Sequence, residues 1–439
     1  MVAPLLIETS NGVRCEFTES EILEGVSVPV PTRDVVGYKL KSTLECTITL
    51  TIYYYQLLEN KKRERNVLEL IFGIGYESKL REYMEDILKS SKPSWQSKPL
   101  LFILNPHSGA KLGELKFKYM VEPMFEEAEL DFQLLKTSHR GHAKEMVSNI
   151  NVNDYGAIAV GSGDGTLQEV IAGLMSHTDW ESAMKMPLGI VPLGTSNGIA
   201  ENILQYRKEM NRDSFVLNAA FTILKGNPIS IDMLCVKTKS NKVHFGILGF
   251  GYGFVNDVDI LSDTMRFMGA FRYTFKMIQQ LIKNQPYSGN IYYISSDDGT
   301  DLPGLVSKDG YFTLSTEQIS DKSTLWKQFE HKDLFSFYCM NTSSLGDNFI
   351  MAPDAWLGDG KIYISVMTGP MSRTNVLRLF PELDKGGHLK DANFHCIPAK
   401  AFRFEVSDND QATMGLDGEE IDRGTIRGEV LAGMANLIM

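Results

Sequence analysis

The chain has 439 residues, 43% hydrophobic and 23% charged, a globular composition with room for about two or three domains. Its 55 acidic and 44 basic residues give a net charge of −11, which argues against nucleic-acid binding but leaves a local basic or apolar patch free to meet a membrane. Five widely spaced cysteines form neither a metal spacing nor a disulfide framework, no apolar run approaches a membrane span, and the opening MVAPLLIETS lacks a signal peptide's basic flank, so a cytoplasmic protein is expected.

Residues 1–97 carry short β-like runs: Val26 to Val30, Thr47 to Tyr55 and Val67 to Phe72. In Glu77 to Leu88, the residues Leu80, Tyr83, Met84, Ile87 and Leu88 then share one helical face. Strands closed by a single helix predict a small β-rich module of pleckstrin-homology type. Between candidate strands, Lys61-Lys62-Arg63-Glu64-Arg65 reads as a solvated hairpin loop or as a phospholipid head-group contact. Residues 90–98, SSKPSWQSK, have linker composition.

Residues 98–230 alternate strands and helices, the helices at Lys116 to Ala128, His142 to Ile150, Leu167 to Met175 and Phe215 to Leu224. This pattern predicts an α/β domain. Three apolar runs end in small-residue loops: LLFILNPHSGA at 100–110, AIAVGSGDGT at 157–166 and LGIVPLGTSNG at 188–198. In an open α/β sheet the carboxyl ends of parallel strands share one crevice, where ligands bind. Glycines let the backbone approach an anion, and a helix N-terminus offers it N–H groups and partial positive charge. Asp164 is the unusual member, because phosphate repels a carboxylate unless a metal or a proton-transfer role explains it. The combination points to phosphoryl transfer, with Asp164 as candidate base for an alcohol acceptor.

Residues 231–439 change to short, turn-bounded β runs, including Ile231 to Lys237, Leu334 to Met340, Lys361 to Met367 and Ala401 to Val406, which predict an antiparallel β-sandwich. One helix interrupts them, Thr264 to Lys283. Its apolar stripe is Phe267, Met268, Phe271, Phe275, Ile278 and Leu281, and Arg266, Arg272, Lys276 and Lys283 add positive charge. It reads either as a helix packed on the sandwich or as a lid whose apolar tip touches lipid.

NPHSG, SGDGT followed by LQEV, PLGTSNG, GFGYGFVNDVDIL and GLDGEEI stand in order along the chain. With these blocks, residues 98–425 resemble the diacylglycerol-kinase-type catalytic domain of lipid kinases. Within that group LMSHTDWESA, NDVD, LRLFPELDKGGH and KAFRFEV resemble the sphingosine kinases. The resemblance implies ATP and magnesium as cofactors. It implies a nucleotide site at Asn105, Ser108, Gly109, Thr137, Arg140, Ser162, Gly163, Gly165, Glu169, Gly194, Thr195, Asn197, Arg266, Arg272, Asp417 and Gly418. Asp417 would also hold metal, and either Asp164 or Glu419 would take the acceptor's proton. Asp259 would pair with the amine of a sphingoid base, which diacylglycerol and ceramide lack, and Asp257 would support the structure. His107, Thr166 and Ser196 depart from residues frequent in the group. The expected partners are a sphingoid-base lipid and, reversibly, a membrane surface, with no nucleic acid; a homodimer is allowed for. The alternatives are a ceramide or diacylglycerol kinase, a soluble nucleotide kinase, or a catalytically silent lipid-binding adaptor.

Overall fold

The computed structural model describes the chain apart from residues 1–3, 26–28, 44–45, 196, 263, 266–270, 284, 300–301, 303–305, 309–310, 347–348, 370, 380–381, 383–385 and 408, and apart from the side chains of 110, 306–308 and 311. Ser196, Arg266, Phe267 and Met268, singled out in the sequence, lie outside the described residues.

The first ninety residues form two antiparallel sheets and a helix. One sheet has four strands, from Leu5–Glu8 to Val30–Pro31; the other has Val35–Ser42, Thr47–Leu57 and Arg63–Gly73. The helix Glu77–Ser90 buries Leu80, Tyr83, Met84 and Ile87 against Ile48, Leu50, Ile52, Leu70 and Phe72 in one apolar cluster. Alternation of buried and outward residues along Thr47–Leu57 explains why that strand covers a core on one face only.

Neither sequence reading of the Lys61 to Arg65 run holds for Arg63. Its side chain is 2% exposed. It reaches Asp34 at 3.2 Å and Glu209 at 3.0 Å, and its guanidinium stacks over Phe221 at 3.6 Å. Arg65 pairs with Glu127, Tyr55 Oη donates to the same carboxylate at 2.8 Å, and Asn218 Nδ2 donates to the Lys61 carbonyl at 3.0 Å. The run therefore fastens the first module to the following α/β region.

That region holds four parallel strands in the spatial order Phe132–Lys136, Leu100–Leu104, Ala157–Ser162, Pro187–Pro192. Leu100–Leu104 and Ala157–Ser162 are wholly buried, as strands covered on both faces must be. The helical stretch expected from Lys116 to Ala128 is interrupted by one wide π turn, Phe117–Val121, before Glu122–Glu127.

The last strand, Ile426–Ile438, joins the two halves. Its end pairs in parallel with Pro187 and Leu188, while residues 426–429 pair antiparallel with Phe394–Glu405. Pro228–Thr238 runs antiparallel along most of its length. One hydrogen-bonded sheet therefore passes from the α/β layer into the β-rich half, through Ile362–Thr368, Asp333–Met340 and Gly249–Gly253 to the hairpin Met414–Leu416/Glu419–Ile421. This strand thus ties residues 231–439 to the α/β layer. All five cysteines are free.

The helix Phe271–Lys283 turns its apolar stripe outward. Phe271, Phe275, Ile278 and Ile282 are 63%, 39%, 47% and 71% exposed, while Arg272, Met277 and Gln280 face inward. Of the stripe read from the sequence, Phe271, Phe275 and Ile278 thus point outward, whereas Leu281 packs against the sandwich core.

Candidate active site

The three glycine loops meet at the carboxyl ends of the parallel strands. The Asn105 N–H donates to the Gly161 carbonyl at 3.1 Å, and the Leu193 N–H donates to the Ser162 carbonyl at 3.1 Å. A Cβ on Gly194 would stand 2.5 Å from the Gly163 nitrogen, and one on Gly109, at φ +52°, 2.2 Å from the Leu193 carbonyl oxygen. Only glycine permits these backbones to touch. Side chains then fix each loop. Asn105 Oδ1 accepts from the His107 N–H, Ser108 Oγ donates to the Asn105 carbonyl, and Thr166 Oγ donates to Ser162 Oγ at 2.8 Å. Ser162 and Thr166 are therefore engaged with each other, which leaves main-chain N–H groups to face a ligand there.

Thr137 is buried, and its N–H donates to the Leu104 carbonyl. The turn after it is held from beneath by Glu169, whose two oxygens accept from the Gly141 N–H at 2.8 Å and the Ala143 N–H at 3.1 Å. Arg140 extends from the same turn and pairs with Glu419 of the distant hairpin. Glu419 Oε1 in turn lies 3.1 Å from where a Cβ on Gly165 would stand.

Asp164 is 3% exposed and accepts the Gly198 N–H at 2.7 Å and the Ile199 N–H at 3.1 Å, capping the helix Gly198–Tyr206. Burial pushes its carboxyl up to about 7 against the pull of those two donors, and the charge of Asp417 adds to the rise. Asp417 begins the two-residue turn Asp417-Gly418, both at positive φ (+50° and +81°), the signature of a tight hairpin. Its carboxylate accepts from the Ile247, Leu248 and Gly249 N–H groups at 2.7, 2.9 and 2.9 Å, and burial raises its pKa as well.

Asp164, Asp259, Asp417 and Gly418 line one cavity of about 660 Å³ together with Gly194, Thr195 and Asn197. Leu248, Val255, Val258, Tyr338 and Phe349 give it apolar walls. Asp259 is half-buried on the helix Phe254–Ser262, with its Oδ2 3.7 Å from the position of a Cβ on Gly418. Asp257, two residues earlier, points elsewhere, accepting from the Thr413 N–H, Thr413 Oγ and Tyr287 Oη. Its supporting place matches the sequence reading. Asn105, Ser108, Thr137, Arg140, Ser162, Gly163, Gly165, Glu169 and Glu419 are not part of this cavity's lining. Arg272 is buried, its Nη2 donating to Tyr273 Oη at 2.6 Å, and Tyr273 reaches the cavity wall.

Glu201 and Arg212 are among the cavity residues that escaped the sequence reading. Glu201 is 1% exposed and pairs with Arg212 at 2.8 Å. Glu201 sits one turn into the helix after the third loop, where a buried acid on an otherwise apolar face was the available signal.

A divalent cation fits the donors present. Among the described residues Asn197 Oδ1 is a buried acceptor with no partner, and Asp417 Oδ2 accepts the Ile247 N–H. Oxygen donors facing one cavity suit a hard cation.

Comparison with known proteins agrees with this geometry. Residues 99–236 match the diacylglycerol kinase catalytic domain, and residues 250–439 match the YegS C-terminal NAD kinase beta sandwich-like domain. The chain is 27% identical to sphingosine kinase 1 of Arabidopsis thaliana, over 93% of this chain and 90% of that one. It is 28% identical to sphingosine kinase 1 of Homo sapiens, over 75% and 88%. It is 27% identical to sphingoid long chain base kinase 4 of Schizosaccharomyces pombe, over 77% and 74%. A crystal structure of a diacylglycerol kinase from Bacillus anthracis superposes with a TM-score of 0.50 at 17% identity, covering 78% of this chain and 96% of that one, a likeness of fold.

Proposed function

We propose that this chain, a member of the diacylglycerol-kinase-type lipid kinases, transfers the γ-phosphoryl group of ATP to the primary hydroxyl of a sphingoid base, giving the 1-phosphate. The observation that carries the substrate is the shared cavity: Asp164 and Asp259 both line it, together with apolar walls. A carboxylate in such a place favours a cationic amine attached to an alkyl chain. The relatives named sphingosine kinases support the same reading.

Asp164 is the residue that takes the acceptor's proton, because it faces the cavity and two N–H groups fix its orientation. The proton leaves the hydroxyl for the Asp164 carboxylate as the oxygen attacks phosphorus and the bond to the leaving ADP opens. Glu419 instead holds Arg140 over the loops. The nucleotide lies on the loop backbones of Asn105 to Gly109, Ser162 to Gly165 and Gly194 to Asn197, with Thr137 and Arg140 at its edge. Asp417 and Asn197 Oδ1 would hold magnesium, which would neutralise phosphate charge when bound. The first module has the plan of a pleckstrin-homology-like domain, and we divide the chain into 1–97, 98–230 and 231–439, with the last strand returning to the middle part. The outward stripe Phe271, Phe275, Ile278 and Ile282, flanked by Lys276 and Lys283, is the surface that meets the membrane reversibly.

The test sets sphingosine, ceramide and diacylglycerol side by side with labelled ATP. Sphingosine alone should be turned over. Asp259→Ala should raise the KM for sphingosine roughly tenfold to a hundredfold, the weight of a charge-assisted contact, and leave the KM for ATP nearly unchanged. Equal use of ceramide by the unmodified protein would sink the amine pairing.

A further inference from the structure

We propose that His139, His142 and Glu145 form a binding site for a borderline transition-metal ion, with Zn²⁺ as its type, on the turn that opens the helix His142–Asn149. One donor atom from each of the three residues lies within 4.8 Å of the other two. His139 Nε2 is 3.6 Å from Glu145 Oε2, and the two imidazoles stack with centroids 4.7 Å apart at 18°. Two imidazole nitrogens and one carboxylate oxygen are a known zinc donor set that leaves a fourth position open. Tetrahedral bonds of about 2.0–2.2 Å place donors about 3.4 Å apart. The side chains of His139 and Glu145 are 54% and 62% exposed, so small rotations close the remaining gap.

The tautomer of His139 suits the assignment. His139 Nδ1 lies 3.0 Å from the Arg140 carbonyl and carries the ring proton toward it, which leaves the Nε2 lone pair free. Such an outer contact is the usual companion of a ligating histidine. His142 Nδ1 accepts the Ser138 N–H at 3.0 Å and lies 3.1 Å from Ser138 Oγ, which puts the neutral ring's proton on Nε2. For a metal to take His142 Nε2 that proton moves to Nδ1, and the bond from the Ser138 N–H is given up for one from Nδ1–H to Ser138 Oγ.

The three ligands straddle Arg140, and Glu169 grips the same turn through Gly141 and Ala143. A bound ion stiffens the turn that carries Thr137 and Arg140 while leaving Asp164 untouched. Its effect therefore falls on the KM for ATP rather than on turnover; this second part rests on the nucleotide reading above, whereas metal binding does not.

Calorimetric titration of the full chain with ZnCl₂, in nucleotide-free and chelator-free buffer, tests the site. One saturable site per chain is expected, weakened at least about tenfold by His139→Ala and by Glu145→Gln. His331→Ala, which alters the stacked His331–His395 pair elsewhere, should bind as the unmodified chain does. Absence of saturable binding, or unchanged binding in His139→Ala, overturns the site. If Zn²⁺ binds but the KM for ATP stays constant, the site stands and its coupling to the nucleotide is overturned.

Discussion

Asp164 combines two tasks that pull its protonation in opposite directions. Capping the helix Gly198–Tyr206 favours the carboxylate, and burial favours the acid; burial wins and places the pKa near 7. A base must be deprotonated to act, so kcat/KM should rise with pH through a midpoint near 7 in the free enzyme. The stability effect has the opposite slope. The folded chain holds a proton on Asp164 that the unfolded chain releases near the ordinary aspartate value of 3.8, so the contribution is full below that pH and is lost as pH rises through about 7. Asp164→Asn should flatten this part of the Tm–pH curve and lower turnover by about 10²–10⁴, while circular dichroism stays unchanged. At this scale much was legible, because the Asp417-Gly418 turn and the glycine loops declare their geometry in residue type. Glu201 was not legible, since its partner Arg212 belongs to no motif.

Elements were harder to place than to find. The periodicity of Phe271–Lys283 is visible in sequence, yet the buried face is the one carrying Arg272 and Gln280. Arg272 enters by laying its guanidinium against Tyr273, a partnership that a hydropathy pattern does not weigh. Replacing Phe271, Phe275, Ile278 and Ile282 together by serine should abolish flotation with anionic vesicles and spare turnover of detergent-dispersed sphingosine. Retained flotation would remove the helix from the membrane reading. The Lys61 to Arg65 run hides its role because the partners of Arg63 lie 29 and 146 positions away. Burial pushes Asp34 up and Arg63 down even though each faces the other, so desolvation outweighs their attraction. Arg63→Ala should therefore cost about 3–5 kcal/mol in urea unfolding, by stranding the buried Asp34 and taking one of the two arginine partners of Glu209. Adding Asp34→Asn and Glu209→Gln to Arg63→Met should recover most of that loss.

Across the whole molecule, the order of domains was readable but their fusion was not. IRGEVLAGMANLI shows no strict alternation, because one edge changes neighbour along its length, from Phe394–Glu405 near its start to Pro187 and Leu188 near its end, while Pro228–Thr238 pairs along the other edge throughout. Removing residues 435–439 should lower the Tm of the nucleotide-binding half and expose Pro187–Pro192 to protease, since Ala435, Leu437 and Met439 complete its apolar cluster. An unchanged digestion pattern would contradict this.

That last strand also sets a timetable. Pro187–Pro192 leaves the ribosome more than two hundred residues before the segment that covers its edge. During synthesis the nascent kinase carries an open strand edge and a half-filled apolar layer, conditions that invite mispairing with other chains. The requirement for a chaperone should therefore peak just before the final strand is translated, and circular permutants that make this strand first should fold with less assistance.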